Sequence, residues 1–165
     1  MSFESYRIRA VNAGDLVGVM RLERATPEAP HWAEAEYAAI VSSDGSAEAG
    51  VRRCLFVAEA KGNLLGFAVG KVVVSGALRL AELESVAVSA SARRVGVGRA
   101  LCEAVISWCR DQDATEMELE VRAGGVGAVA LYQGLGFAVV GQRSGYYRDP
   151  TEDALLMQLR LAGDE

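Results

Sequence analysis

Apolar residues recur along the chain with two different spacings, and these spacings predict its elements. In seven short segments the residues alternate between apolar and polar or are almost all apolar, which is typical of β-strands. In four others the apolar residues lie three or four apart, as on one face of a helix. The predicted strands span residues 6–10, 54–60, 64–74, 80–88, 116–121, 137–141 and 154–161. The predicted helices span residues 12–24, 32–41, 99–112 and 127–135.

Polar segments separate these elements and predict how they connect. Asn12 is a suitable cap for the first helix, and Lys-Gly-Asn at 61–63 predicts a hairpin turn. Residues 42–50 predict a polar loop, and residues 146–153 a turn-rich segment. The order of strands and helices is typical of a mixed α/β fold built on one sheet. We expect residues 1–165 to form a single domain, because this length is ordinary for one and no linker or repeat interrupts it.

Composition and charge narrow the classes of function. The chain has 17 basic and 22 acidic residues, a net charge of −5, which argues against a broad nucleic-acid-binding surface and permits a basic partner. The N-terminus lacks the apolar core of a signal peptide, and no apolar stretch reaches the ~18 residues of a membrane span. We therefore expect a cytoplasmic protein. Three cysteines and one histidine favour reduced, mostly buried thiols over a metal site.

The glycine-rich segment after the strand at 80–88 is the strongest local signal. Gly96 and Gly98 open the helix at 99–112, where backbone N–H groups can bind a phosphate. The basic residues beside them are Arg93, Arg94 and Arg99. A dinucleotide-binding loop would need a third glycine in place of Leu101, and the lysine of a Walker loop is absent. The segment predicts a phosphate-bearing cofactor, and a glycine-rich turn with solvated arginines is the alternative.

Several segments, in order, resemble the GNAT acetyltransferases. Arg93-x-x-Gly96-x-Gly98 is similar to the pyrophosphate loop of that family. Leu-Glu-Val-Arg at 119–122 and Ala-Leu-Tyr-Gln-Gly-Leu-Gly-Phe at 130–137 resemble the family's next two motifs. The segments at 30–37, 145–147 and 152–157 resemble the members that acetylate ribosomal proteins at an N-terminal alanine.

The resemblance implies the fold, the cofactor and its binding residues. It implies a central, mostly antiparallel sheet that splays open at an acetyl-CoA site. The implied cofactor-binding residues are Val86, Ala87, Val88, Arg93, Arg94, Val95, Gly96, Val97, Gly98, Arg99 and Gly125. At Gly125 the family often has an asparagine that contacts the cofactor, so the chain lacks that side-chain contact.

The same resemblance implies a glutamate base and a tyrosine acid. The base corresponds to Glu120, acting through water, and the acid that assists the departing CoA sulfur corresponds to Tyr132. Glu82, Glu84 and Glu118 are further carboxylates on the same two strands, and other GNAT enzymes use a glutamate placed like Glu82. A solvated strand carboxylate paired with Arg122 or Arg99 is the alternative for Glu120. A carboxylate base suits an α-amine, whose pKa of about 7.7–8.0 leaves it partly deprotonated near neutrality.

The implied acceptor is the N-terminal peptide of a basic protein, expected to be ribosomal. The residues expected to contact it are Trp32, Glu84 and Tyr146, the last with its neighbour Tyr147. We expect His31 to be an ordinary loop residue. Two other functions fit the sequence: acetylation of lysine or of a small amine on the same fold, and acyl-CoA binding without catalysis. Neither nucleic acid nor a membrane is expected as a partner.

Overall fold

One seven-stranded sheet with α-helices on both faces organises the part of the chain that the computed structural model describes, residues 5–27, 29–42, 50–93, 95–148 and 150–161. The strands are β1 (Arg7–Ala10), β2 (Val51–Ala60), β3 (Asn63–Ser75), β4 (Leu78–Val88), β5 (Glu116–Arg122), β6 (Ala138–Tyr147) and β7 (Glu152–Arg160). The helices are α1 (Leu16–Ala25), α2 (Glu34–Ser42), α3 (Val97–Asp111) and α4 (Val126–Gly134). None of the helices in these ranges is both long and apolar enough to cross a bilayer.

The strands lie in the order β1-β2-β3-β4-β5-β7-β6. Neighbouring strands in this sheet run antiparallel, except that β4 and β5 are parallel. The parallel pair arises because α3 carries the chain back across the sheet between β4 and β5. The predicted mixed α/β fold on a mostly antiparallel sheet is therefore confirmed.

The parallel pair separates partway along its length. β4 and β5 are paired only at Leu80 with Glu116, Ala81 with Met117 and Glu82 with Glu118. Beyond that point, residues 83–88 of β4 remain paired with β3 but have no partner strand on their other side. Backbone N–H and C=O groups on that side are thus free to bind a ligand. This is the splay in the sheet that the sequence resemblance implied.

A β-bulge in β4 changes which side chains face the opening. Ser85 pairs with Val69, but Leu83 pairs with Gly70, so Glu84 is an extra residue in β4. As a result Leu83 and Val86, although three residues apart, both pack in the core under α3 and α4.

Two apolar clusters hold the helices to the two faces of the sheet. Beneath α3 and α4, the cluster includes Leu101, Val105, Met117 and Met157. On the opposite face, the cluster beneath α1 and α2 consists of Val19, Met20, Leu22, Tyr37, Leu55, Val57, Phe67, Val69 and Ala87. The buried thiols of Cys102 and Cys109 lie in the first cluster, where burial raises the pKa of each to about 12.

Several element boundaries differ from the predictions. The second helix begins at Glu34, two residues later than predicted, because His31 has a left-handed φ of 57° and the chain is still irregular at Trp32. This helix extends to Ser42, and the rest of the predicted polar loop, residues 43–49, lies outside the described residues. In the hairpin turn only Lys61 and Gly62 are unpaired, with φ of 52° and 80°.

The last hairpin is the largest departure from the predicted elements. β6 was predicted to end at residue 141, but it continues to Tyr147, which pairs with Glu152 of β7. Register shifts near Gly141 and between Arg143 and Tyr147 interrupt the alternation of side chains. Because that alternation is the sequence signal of a strand, the sequence predicts a strand only to residue 141 and a turn-rich segment over 146–153.

Candidate active site

A cleft of about 790 Å³ opens where β4 and β5 separate. Its walls are the free edge of β4, the segment leading into α3, the end of β5, and α4. The cleft is lined by eleven of the residues that the sequence singled out: Glu84, Val86, Val88, Arg93, Gly96, Gly98, Arg99, Glu120, Gly125, Tyr132 and Tyr147. The tertiary structure thus brings together residues from five separate elements.

Other residues singled out by the sequence lie away from the cleft or face another way. Ala87 and Val97 are each 1% exposed, in the cores on opposite faces of the sheet. Val95 is exposed but does not line the cleft. Arg94 lies outside the described residues. For Ala87 and Val97, the part available to a ligand at this site is the backbone.

Two residues expected to contact the acceptor also lie outside the cleft lining. The Trp32 ring packs against Tyr37, with ring centroids 5.3 Å apart, at the core beneath α1 and α2. Tyr146 is 48% exposed on β6, and its interaction with Glu120 raises its pKa. Its neighbour Tyr147 does line the cleft.

The start of α3 forms one end of the cleft. Gly96 occupies the N-cap position with a φ of 87°, a left-handed conformation that glycine adopts without strain. Among the residues that the structure describes, no side chain caps the helix, so its first N–H groups are available to an anion. Nearby, the Arg93 guanidinium donates to the Val88 carbonyl at 3.3 Å, which fixes this cation at the end of β4. These features fit a pyrophosphate group.

Glutamates surround the point where the strands part. Glu82 is paired with Glu118 across the strands, and Glu84 and Glu120 follow on the separating segments. Burial raises the pKa of Glu82; Lys71 opposes the rise, and the other three carboxylates add to it. Within this cluster Glu84 is the most strongly paired, because Arg53 lies 2.9 Å from its carboxylate and Lys71 lies 3.7 Å from it.

Glu120 is held more loosely and faces the cleft. Its side chain is 29% exposed, and its nearest cation is Arg143 at 3.7 Å, rather than the Arg122 or Arg99 considered from the sequence. Tyr146 interacts with the same carboxylate, which raises the pKa of Tyr146. Glu120 can therefore accept a proton at the cleft without first breaking a close ion pair.

Tyr132 projects from α4 into the same cleft. Its ring meets Phe137 edge to face, with centroids 6.0 Å apart, so the motif at 130–137 is folded back on itself. Burial raises the pKa of Tyr132 above its usual value of 10.0. The phenol therefore stays protonated near neutral pH and is able to donate a proton.

Beside Tyr147, the cleft at the end of β5 is lined by Arg122, Gly124 and Glu152, which the sequence did not single out as site residues. Arg122 stacks over the Tyr147 ring at 4.2 Å and lies 3.4 Å from Glu152. Glu152 in turn accepts a hydrogen bond from the Gly124 N–H. These four residues line the cleft. Only the pairing of β6 with β7 brings Tyr147 beside Glu152, so no local motif could have found the group.

The buried carboxylate of Glu23 lies behind the wall of the cleft. It is 1% exposed and contacts His31 Nδ1 at 2.9 Å, which ties α1 to the segment before α2. That segment contributes Ala29 and Pro30 to the cleft, whereas His31 does not line it. His31 therefore has a structural contact of its own, away from the cleft.

Comparisons with known proteins give one consistent result. A sequence profile described as the acetyltransferase (GNAT) family matches residues 16–137. The [ribosomal protein bS18]-alanine N-acetyltransferase of Escherichia coli is 31% identical over 157 residues, covering 94% of this chain and 97% of that protein. A putative enzyme of the same name from Bacillus subtilis is 32% identical over 105 residues, 64% of this chain and 67% of its own length.

Solved structures agree at the level of the fold. The crystal structure of the Escherichia coli ribosomal-protein-S18-alanine N-acetyltransferase superposes with a TM-score of 0.77 and 29% identity, over 98% of this chain and 97% of that one. Arabidopsis thaliana NAA60 in complex with acetyl-CoA superposes with a TM-score of 0.83 at 18% identity, over 96% of this chain and 100% of the other.

Proposed function

This chain belongs to the GNAT family of acetyltransferases, and we propose that it acetylates the N-terminal α-amine of a protein that begins with alanine. Acetyl-CoA is the acetyl donor. The proposed acceptor is a ribosomal protein, because the Escherichia coli relative is named for the alanine of ribosomal protein bS18. One observation carries the proposal: a single cleft, open at the splayed strands, contains an anion-binding helix start, a loosely paired glutamate and a partly buried tyrosine.

The two ends of the cleft fit the two ends of the donor. Gly96, Gly98 and the neighbouring N–H groups would bind its pyrophosphate, together with Arg93 and Arg99. The free edge at residues 83–88 offers N–H and C=O groups to its amide-containing arm and to the acetyl carbonyl. When bound, the donor supplies an activated thioester, and this edge orients it.

Glu120 is the proposed base. It faces the cleft and has its nearest cation at 3.7 Å, whereas Glu84 is held by Arg53 at 2.9 Å and also by Lys71. A carboxylate already paired with two cations is a weaker proton acceptor than one that is free to turn toward an amine. Glu120, directly or through a water molecule, would take the proton from the attacking α-amine.

Tyr132 is the proposed acid. It lines the cleft from the opposite wall, and its raised pKa keeps the proton on the phenol until a sulfur atom of increasing negative charge is near. A tyrosine in this position would donate its proton to the departing thiolate.

The acceptor would approach over the glutamates. The four carboxylates at the parting strands attract an amine and a basic segment behind it. Glu84 and Tyr146 are proposed to contact the acceptor, since Glu84 lines the cleft and Tyr146 interacts with Glu120. Trp32 is proposed to act indirectly, through its packing against Tyr37, and not by contact with the acceptor. Because ribosomal proteins are made there, the proposal places the reaction in the cytoplasm.

The proposal is tested with two matched peptides and acetyl-CoA. One peptide begins with a free alanine followed by basic residues that include a lysine. The other peptide has the same sequence, but its N-terminus is blocked, so that the lysine carries its only free amine. We expect mass spectrometry to find acetyl only on the free α-amine. Acetylation of the lysine alone would instead assign the chain to side-chain acetylation. Tight acetyl-CoA binding with no acetylation of any amine would leave only a sensor role.

A further inference from the structure

The loop between β5 and α4 lines the cofactor cleft and lacks the asparagine side chain that the family often has there. Gly124 and Gly125 occupy this loop, and Gly125, the N-cap residue of α4, makes no side-chain cap hydrogen bond. Backbone hydrogen bonds from the Ala123 N–H to the Asp153 carbonyl and from the Gly125 N–H to the Arg122 carbonyl hold part of the loop, and α4, which carries Tyr132, begins directly after it at Val126.

Glu152, on β7, contacts this loop from another strand. One carboxylate oxygen, Oε2, accepts a hydrogen bond from the Gly124 N–H, and the other, Oε1, lies 3.4 Å from Arg122. The Arg122 guanidinium is held in turn over the Tyr147 ring at 4.2 Å. The carboxylate therefore joins both ends of the loop to the last hairpin of the sheet.

The geometry also explains why residue 124 is a glycine. A Cβ atom added to Gly124 would collide with Glu152 Oε2, the same atom that accepts the hydrogen bond. Gly124 does not have a left-handed φ, so backbone conformation does not require glycine at this position. Glycine is needed at position 124 because the carboxylate of Glu152 occupies the space of a Cβ atom. Without that carboxylate, the need for glycine disappears.

We propose that Glu152 is a positioning residue that holds the β5–α4 loop against the cofactor, and that Gly124 is glycine in order to admit its carboxylate. The proposal depends on acetyl-CoA as the donor and not on the identity of the acceptor. Direct binding of acetyl-CoA in the absence of any acceptor therefore tests it separately from the proposed function.

The test is a double-mutant cycle read by calorimetric titration with acetyl-CoA. Glu152→Ala should raise the Kd of acetyl-CoA about tenfold, as expected when a hydrogen bond to a charged group is lost. Gly124→Ala should raise it to a similar extent, since the new methyl group displaces the carboxylate. In the double variant, the Kd of acetyl-CoA should equal that of Glu152→Ala alone. The oxygen atom that the added methyl group would contact is then absent. Additive effects, or an unchanged Kd in Glu152→Ala, would overturn the proposal.

A conservative variant separates positioning from general stability. Glu152→Gln keeps an oxygen that can accept from Gly124 and loses only the ion pair, so its Kd should stay within about threefold of the parent. In steady-state assays Glu152→Ala should raise the KM for acetyl-CoA and leave the KM for the acceptor peptide unchanged. A lower melting temperature with an unchanged Kd would point to a purely structural role and contradict the proposal. Asp111→Ala and Gly141→Ala, at exposed and loosely packed positions away from the cleft, are the matched controls.

Discussion

Glu82 and Glu118 are the last residues paired between β4 and β5, and the two strands separate directly after them. The separation leaves one edge of β4 without a partner and points Glu120, two residues further along β5, into the cleft. The active-site opening thus begins at a pair of like charges. Repulsion between two carboxylates on adjacent strands disfavours continued close pairing and favours the separation.

Glu120→Gln should lower kcat about 100-fold or more, as expected when a general base is lost, with little change in the Kd of acetyl-CoA. Glu118→Gln is the matched control, because Glu118 lies on the same face of the same strand but does not line the cleft. Steady-state kinetics and calorimetry measure the two effects. A larger loss in Glu84→Gln than in Glu120→Gln would move the base to β4.

Tyr132→Phe should lower kcat about 100-fold and leave the affinity for acetyl-CoA almost unchanged, because the ring remains and only the proton donor is removed. In the wild-type protein the raised pKa of Tyr132 keeps the phenol protonated, so kcat should not fall between about pH 7 and pH 9. A pH–rate profile measures this directly. A loss of activity over that range that disappears in Tyr132→Phe would contradict the assignment.

Gly96→Ala should weaken acetyl-CoA binding about tenfold, since alanine resists the φ of 87° that presents the start of α3, at a cost of about 1–2 kcal/mol. Gly62→Ala is a control for the strain alone, because Gly62 has a φ of 80° in the hairpin between β2 and β3 and an added Cβ meets no atom there. Both variants should unfold at a lower urea concentration than the parent protein. Only Gly96→Ala should bind acetyl-CoA more weakly. Equal losses of affinity would show that the start of α3 does not bind the donor.

Glu82→Gln should stabilise the fold at neutral pH. Burial raises the pKa of Glu82 in the folded state, so this group binds protons more tightly when folded than when unfolded. Its unfavourable contribution therefore appears as the pH rises from its ordinary value of 4.5 through the raised pKa, and it is absent below that range. Urea midpoints of the two proteins should differ at about pH 7 and converge near pH 4. A constant difference at all pH values would contradict this origin.

Much of the fold was predictable because the relevant spacings are local. The apolar run of β3, the alternation in β5 and the helical spacing in α3 are signals that extend over 7 to 15 residues. β6 was predicted too short for the same reason, since its irregular pairing with β7 removes the alternation near Gly141 and Tyr147. The sequence predicts that the second helix begins at Trp32. The left-handed backbone of His31 delays the start of this helix, and no spacing of apolar residues reports that conformation.

By itself the sequence determined which kinds of group the site would have: a glycine-opened helix, carboxylates in pairs on two strands, and a tyrosine on a short helix. The tertiary structure alone decided how these groups differ. Arg53 and Lys71, from β2 and β3, neutralise Glu84 and leave Glu120 the less constrained carboxylate. The structure also explains the glycine at position 124 through a carboxylate 28 residues away. Spacing along the chain encodes local conformation, whereas the charge and room around each group depend on strands that meet only when the sheet forms.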